Sequence, residues 1–163
     1  MSLRVTQYGE PVLREKGKKI CCFNVELAQL AADMIETLYD YEGIGLAAQQ
    51  IGKKIQLCVV DTLGCRIHDN ENAFLDQRRV PVGLLMPLPL VNPVIEFIGS
   101  KTTLHDEGCL SLPGINCPKI KRHENIRVAY QDLEGTHHIL QCNGLLARCI
   151  QHEGDHLNGI LIV

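Results

Sequence analysis

Within Gln151-His152-Glu153-Gly154-Asp155-His156, two histidines stand four residues apart and a glutamate directly follows the first. On a helix this spacing stacks both imidazoles on one face, where they can converge on one tetrahedral ion. The glutamate then lies beside the ion without coordinating it, placed to take a proton from metal-bound water. The flanking residues predict such a helix over 144–158, because Leu145, Cys149, His152 and His156 recur at i, i+4, i+7 and i+11 and so share one inward stripe. The bland alternative is a core helix whose histidines are satisfied by hydrogen bonds.

A catalytic centre of this kind uses three protein ligands and leaves a fourth position for water. The third ligand could be Cys109, Cys117, Cys142, His105, His123, His137 or His138, and spacing alone does not choose among them. The setting of Cys109 favours it. In Glu107-Gly108-Cys109-Leu110-Ser111-Leu112-Pro113-Gly114, a glycine-flanked cysteine on extended chain can present its sulfur together with adjacent backbone N–H groups. Taken alone, a cysteine so placed is more often a small buried residue. A second stretch, Glu42-Gly43-Ile44-Gly45-Leu46-Ala47-Ala48-Gln49-Gln50-Ile51-Gly52, has few side chains to pack. It reads either as backbone that must approach something closely or as a plain helix-to-strand turn. It does not follow a strand and its glycine spacing is wrong for phosphate binding.

The elements that must position these groups can be read in outline. Tyr8 to Arg14 is a turn into a short helix with Pro11 at its first position. Cys21 and Cys22 are read as packing residues. Asn24 is a good N-cap for a helix whose apolar face is Leu27, Leu30, Ala31, Met34, Ile35 and Leu38, with Gly43 as its stop. Residues 55–61 read as a buried strand, 64–77 as polar and irregular, and 78–89, with Pro81, Pro87 and Pro89, as a loop or edge segment. A further strand over 90–98 is broken by Pro93, and 102–105 are expected to continue the sheet. Alternating runs at 125–132 and 136–142 across Leu133-Glu134-Gly135 predict a hairpin that delivers the metal helix through Gly144. The class is α+β, with mainly antiparallel sheets packed around a C-terminal metal-binding helix.

The chain has 163 residues, a length that suits one domain spanning 1–163. A net charge of -3 without any block of lysine or arginine gives no footprint for nucleic acid or an anionic membrane. Met1-Ser2-Leu3-Arg4-Val5 contains no apolar signal core, and no apolar run approaches membrane-spanning length. The chain is read as soluble and unexported, so a reducing compartment is the expected setting. The eight cysteines are expected to stay reduced there, leaving at least one free to act as a thiolate ligand. A monomer is expected.

Three motifs in order, Gly43 to Gln50, Glu107 to Ser111 and Gln151 to His156, make the sequence similar to the peptide deformylases. The similarity runs from the Tyr8 segment to Gly159. It implies removal of the N-formyl group from N-formylmethionyl nascent polypeptides, with release of formate. It also implies Cys109, His152 and His156 as metal ligands, with Fe(II) in the cell and zinc, nickel or cobalt able to occupy the same site. Glu153 would be general base and acid, activating the metal-bound water that attacks the formyl carbon. The Leu110 backbone N–H and the Gln50 side-chain amide would stabilise the oxyanion. The substrate would run as an extended strand beside Gly45 and the segment before Cys109, its methionine side chain against Ile44, Leu110 and Cys149.

Some positions depart from the family pattern. Arg148 stands where an apolar pocket residue is more usual, and is expected to point outward or to narrow substrate choice. Gly114-Ile115-Asn116-Cys117 lacks an arginine that some members carry, while Arg122 matches a structural arginine. The 78–89 segment is longer than in compact members and is expected to cover or flank the cleft. Many relatives continue beyond the position of Val163. Two other readings compete: a zincin endopeptidase with a different third ligand, and a non-catalytic metal site closed by four protein ligands.

Overall fold

The structure is a computed structural model that describes residues 1–65 and 71–163. A 3-10 turn at Pro11–Arg14 precedes helix α1, Val25–Asp40. Short strand β1 (Gly45–Ala47), a second 3-10 turn (Ala48–Ile51) and β2 (Leu57–Val60) follow. Next come β3 (Ala73–Leu75), β4 (Arg78–Arg79), the single helical turn α2 (Val82–Leu85) and β5 (Leu88–Phe97). Strands β6 (Thr102–Gly108), β7 (Asn116–His123), β8 (Asn125–Gln131) and β9 (His137–Asn143) lead into helix α3, Gly144–Leu157.

Among the described residues, seven strands form one antiparallel sheet in the order β1-β2-β5-β8-β9-β3-β4, and β6 pairs only with β7. The α+β expectation holds, and so does the hairpin: β8 and β9 pair from Asn125↔Asn143 to Gln131↔His137. Residues 102–105 do not extend the main sheet; they belong to the separate β6–β7 ribbon. The proline-bearing 78–89 segment supplies the edge strand β4 and then α2 before β5 begins at Leu88. The irregular stretch expected at 64–77 contains β3, and its residues 66–70 lie outside the described residues.

Strand β2 is buried on both faces because the sheet is sandwiched between helices. Leu57 and Val59 join Leu27, Met34 and Leu38 of α1, whereas Cys58 and Val60 join Leu146, Ala147, Cys149 and Ile150 of α3. Successive strand residues therefore serve two cores. Cys21 and Cys22 are exposed, contrary to expectation. They lie in irregular chain just before α1, outside both cores.

The caps match the sequence at one end and differ at the other. The Asn24 side chain accepts from Leu27 N, as expected of an N-cap. Helix α1 ends before Gly43, however, with Glu42 in the left-handed conformation (φ 53). Glu42 N donates to Tyr39 O (3.0 Å) and Gly43 N to Leu38 O (2.9 Å), so the stop is a Schellman motif one residue earlier than predicted. Helix α3 ends the same way with Gly159 at φ 74, where Ile160 N donates to Asp155 O at 2.9 Å. Its first turn is capped from far away in sequence: Glu71 Oε1 accepts from Leu145 N at 3.0 Å. Among the described residues no helix is long and apolar enough to cross a membrane.

Candidate metal centre

Helix α3 is buried around most of its circumference, although it carries Arg148, Gln151, Glu153 and His156 on buried positions. Each of these polar groups therefore needs a defined partner. Gln151 finds its own in strand β7: its Nε2 donates to His123 O (2.8 Å) and its Oε1 accepts from His123 N (3.0 Å). The helix is thereby fixed in rotation against the β6–β7 ribbon, with His152 and His156 turned towards the end of β6. There the Nε2 atoms of the two histidines stand 3.2 Å apart, and Cys109 Sγ lies 3.3 Å from His156 Nε2. Cys109, His152 and His156 form a group able to hold a metal ion, with ligand atoms within 4.8 Å of one another.

The other candidate third ligands have other places. His138 is held between Asp76 and Asp132, and His123 is stacked on Phe97 with ring centroids 3.7 Å apart. Cys142 is buried in the main core, while His105 and His137 are exposed and Cys117 is half-buried.

The donor set fits a cation. His152 Nδ1 lies 2.9 Å from Glu107 Oε1, and an ionised carboxylate can only accept, so Nδ1 carries the proton and the Nε2 lone pair faces the cluster. Two imidazole nitrogens 3.2 Å apart beside a sulfur are three soft-to-borderline donors pointing at one space, which suits a borderline divalent metal.

Glu107 is saturated. Its Oε1 also accepts from Arg122 Nη2 (2.8 Å), and its Oε2 from Arg122 Nε (2.9 Å) and Arg148 Nη1 (2.5 Å). Burial pushes its carboxyl upward, but the hydrogen bonds from Arg122 and His152 outweigh it and hold the group well below the usual carboxylate range. Arg122 also reaches Asp155 Oδ2 at 2.6 Å. Without a cation, burial opposes charge on His152, yet the nearby Cys109 sulfur and the hydrogen bond to Glu107 prevail and raise its pKa to about 10. His156 goes the other way, to about 3, through burial and the neighbouring His152 charge.

Glu153 is 3% exposed, and its Oε2 has no hydrogen-bond partner among the described residues. Burial lifts its carboxyl to about 7. Gly45 packs directly on this carboxylate, and the Cys149 thiol, kept neutral by burial, donates to Ile44 O at 3.3 Å. On the other side, the Gln50 amide is oriented by Ala47 N, which donates to its Oε1 at 2.9 Å. Its Nε2 then lies 3.6 Å from Cys109 Sγ and 3.3 Å from Ser111 Oγ.

These groups share a cavity of about 950 Å³ whose lining includes Ile44, Gly45, Gln50, Cys109, Leu110 and Glu153. The family model described as Polypeptide deformylase matches residues 2–163. This chain belongs to the polypeptide deformylase family. As a deformylase it is a metal-dependent amide hydrolase. It is 49% identical over 166 residues to the peptide deformylase of Opitutus terrae, an alignment covering all of this chain and 84% of that relative. The crystal structure of peptide deformylase from Thermotoga maritima superposes with a TM-score of 0.83 at 36% identity, covering 99% of this chain and 95% of that one. A deformylase from Synechococcus elongatus in complex with actinonin gives a TM-score of 0.81 at 39% identity, covering 98% of this chain and 75% of the other.

Sequence reasoning missed the partners of the deformylase cluster. Arg148 does not point outward: it is buried and bound to Glu107. Glu107 was legible only as a letter of the Cys109 motif, and Ser111 likewise. The one available signal was that Glu107, two residues before Cys109 on extended chain, shares its strand face.

Proposed function

We propose that this chain removes the formyl group from N-formylmethionyl nascent polypeptides, releasing formate and a free N-terminus, and that residues 1–163 act as one catalytic domain. The reading is carried by the convergence of Cys109 Sγ and the two histidine Nε2 atoms beside a buried carboxylate, Glu153, whose Oε2 has no hydrogen-bond partner among the described residues. Cys109, His152 and His156 would hold the metal, with Fe(II) the assignment in the cell and zinc, nickel or cobalt suited to the same N2S donors. When bound, that cation supplies Lewis acidity and acidifies water.

The protein's own groups do the rest. Glu153, held up to about 7 by burial, takes a proton from the attacking water at its carboxylate and returns it to the departing amine nitrogen. Gln50 Nε2 and the Leu110 backbone N–H donate to the oxygen of the tetrahedral adduct. The long contacts of Gln50 Nε2 to sulfur and hydroxyl leave it able to exchange them for a charged acceptor. The peptide lies extended beside Gly45, and Ile44, Leu110 and Cys149 wall the methionine side chain. A substrate made on ribosomes places the enzyme in the bacterial cytoplasm or in an organelle that formylates its own proteins.

Formate release from a formyl-Met peptide, set against cleavage of casein by anaerobically purified protein of known metal content, tests the reading. Release of formate without casein cleavage is expected. Casein cleavage alone would turn the assignment to an endopeptidase.

A further inference from the structure

Arg148 is buried between α3 and the β6–β7 ribbon, and the acceptors it reaches all belong to that ribbon. Its Nη1 donates to Glu107 Oε2 (2.5 Å) and Ile120 O (3.1 Å), and its Nη2 to Thr103 O (2.9 Å) and Thr103 Oγ1 (3.1 Å). Thr103 and Glu107 lie on β6 and Ile120 on β7. Cys109 follows β6 directly.

We infer that Arg148 is a positioning residue of the metal centre: it clamps the strand that leads to the Cys109 sulfur onto the helix that carries the imidazoles, and it holds Glu107 in place for His152. The inference rests on the proposed ligand set. Arg148 sits one turn before His152. Asp155, which receives the second clamp from Arg122, sits one turn after it. The two arginines thus bracket His152 along the helix, and both close on the same Glu107 carboxylate. Glu107 is thus held by two guanidinium groups and the His152 ring, while the partly exposed Asp155 takes the second contact of Arg122. Loss of Arg148 would leave one lone pair of the buried Glu107 carboxylate open and free that carboxylate to shift away from the His152 ring it orients. Only a planar fork spans a carboxylate, a hydroxyl and two carbonyls at once, so lysine is a poor substitute.

The test uses Co(II)-loaded protein and two readouts besides activity: the rate of Co(II) loss to a strong chelator, and the thiolate-to-cobalt absorption band. Arg148→Met, which keeps the alkyl volume, should release Co(II) on the order of 10- to 100-fold faster than wild type, with a weakened band. In a Glu107→Gln background the same substitution should add less than it does alone, because the share of its effect that runs through Glu107 is already lost and only the clamp on Thr103 and Ile120 remains. Wild-type retention in Arg148→Met, or losses that simply add in the double variant, would overturn the inference. If Arg148→Met shows no cooperative melting, Arg148→Lys decides: intermediate retention supports the role and wild-type retention refutes it. Cys109→Ala in the same series tests the ligand set by itself. Persistence of its cobalt band would defeat that assignment, whereas failure of the Arg148 inference leaves the wild-type band untouched.

Discussion

Gly45 lies flat against the carboxylate of Glu153: a Cβ at Gly45 would stand 2.8 Å from Glu153 Cδ and 2.9 Å from Cys149 Sγ. Strand β1 cannot retreat to make room, since Gly45 is paired with Val60 across the sheet. Gly45→Ala should therefore displace the Glu153 side chain while leaving Cys109, His152 and His156 in place. The expected result is a fall in kcat/KM of about 100-fold with unchanged metal content. Wild-type turnover in this variant would mean that Glu153 does not work from the position seen here.

Glu153→Gln separates chemistry from stability. Metal should remain bound while turnover drops about 10²- to 10⁴-fold. Burial raises the Glu153 carboxyl from 4.5 to about 7, so ionising it in the folded metal-free protein is unfavourable. Stability is then lost as pH rises from about 4.5 through about 7, on the order of 3 kcal/mol. Metal-free Glu153→Gln should accordingly melt above metal-free wild type at pH 8, and the two should converge near pH 4.5. Equal melting at both pH values would contradict the burial argument.

Metal removal bears on the Cys109–His152–His156 group as a whole. A chelator should abolish formate release, and Fe(II), zinc, nickel or cobalt should each restore some of it. Cys109→Ala leaves two imidazoles, too few for a stable site, so added metal should not restore it. Turnover that survives exhaustive chelation would remove the metal from the reaction.

His138 gives a pH dependence remote from the centre. Its ring nitrogens lie 2.7 Å from Asp76 Oδ2 and 2.8 Å from Asp132 Oδ2, tying the β3–β4 turn to the β8–β9 turn. The hydrogen bond to Asp76 heads the causes that raise its pKa above 6.5. A raised folded-state pKa contributes stability that is complete below 6.5 and fades as pH climbs through the folded value. The melting difference between wild type and His138→Gln should thus be widest near pH 6 and shrink by pH 9. A difference that grows with pH would reverse the assignment.

The sequence by itself determined the elements with short-range causes. The i, i+4 histidines, the Asn24 cap, the alternation on either side of Leu133-Glu134-Gly135 and the apolar run of β2 depend on neighbours a few residues away, and all four are where local periodicity put them. Only the tertiary structure decided which of seven candidate side chains would meet the two imidazoles. Cys109 and His156 are 47 residues apart in the chain, and their approach depends on how the β6–β7 ribbon is pinned to α3. The same holds for Arg148, whose inward course is set by acceptors on Thr103, Glu107 and Ile120, and for Glu71, which caps α3 across 74 residues. Periodicity says which face a residue occupies, but the partner opposite that face is fixed by packing between distant segments, where buried polar groups must find each other or go unsatisfied.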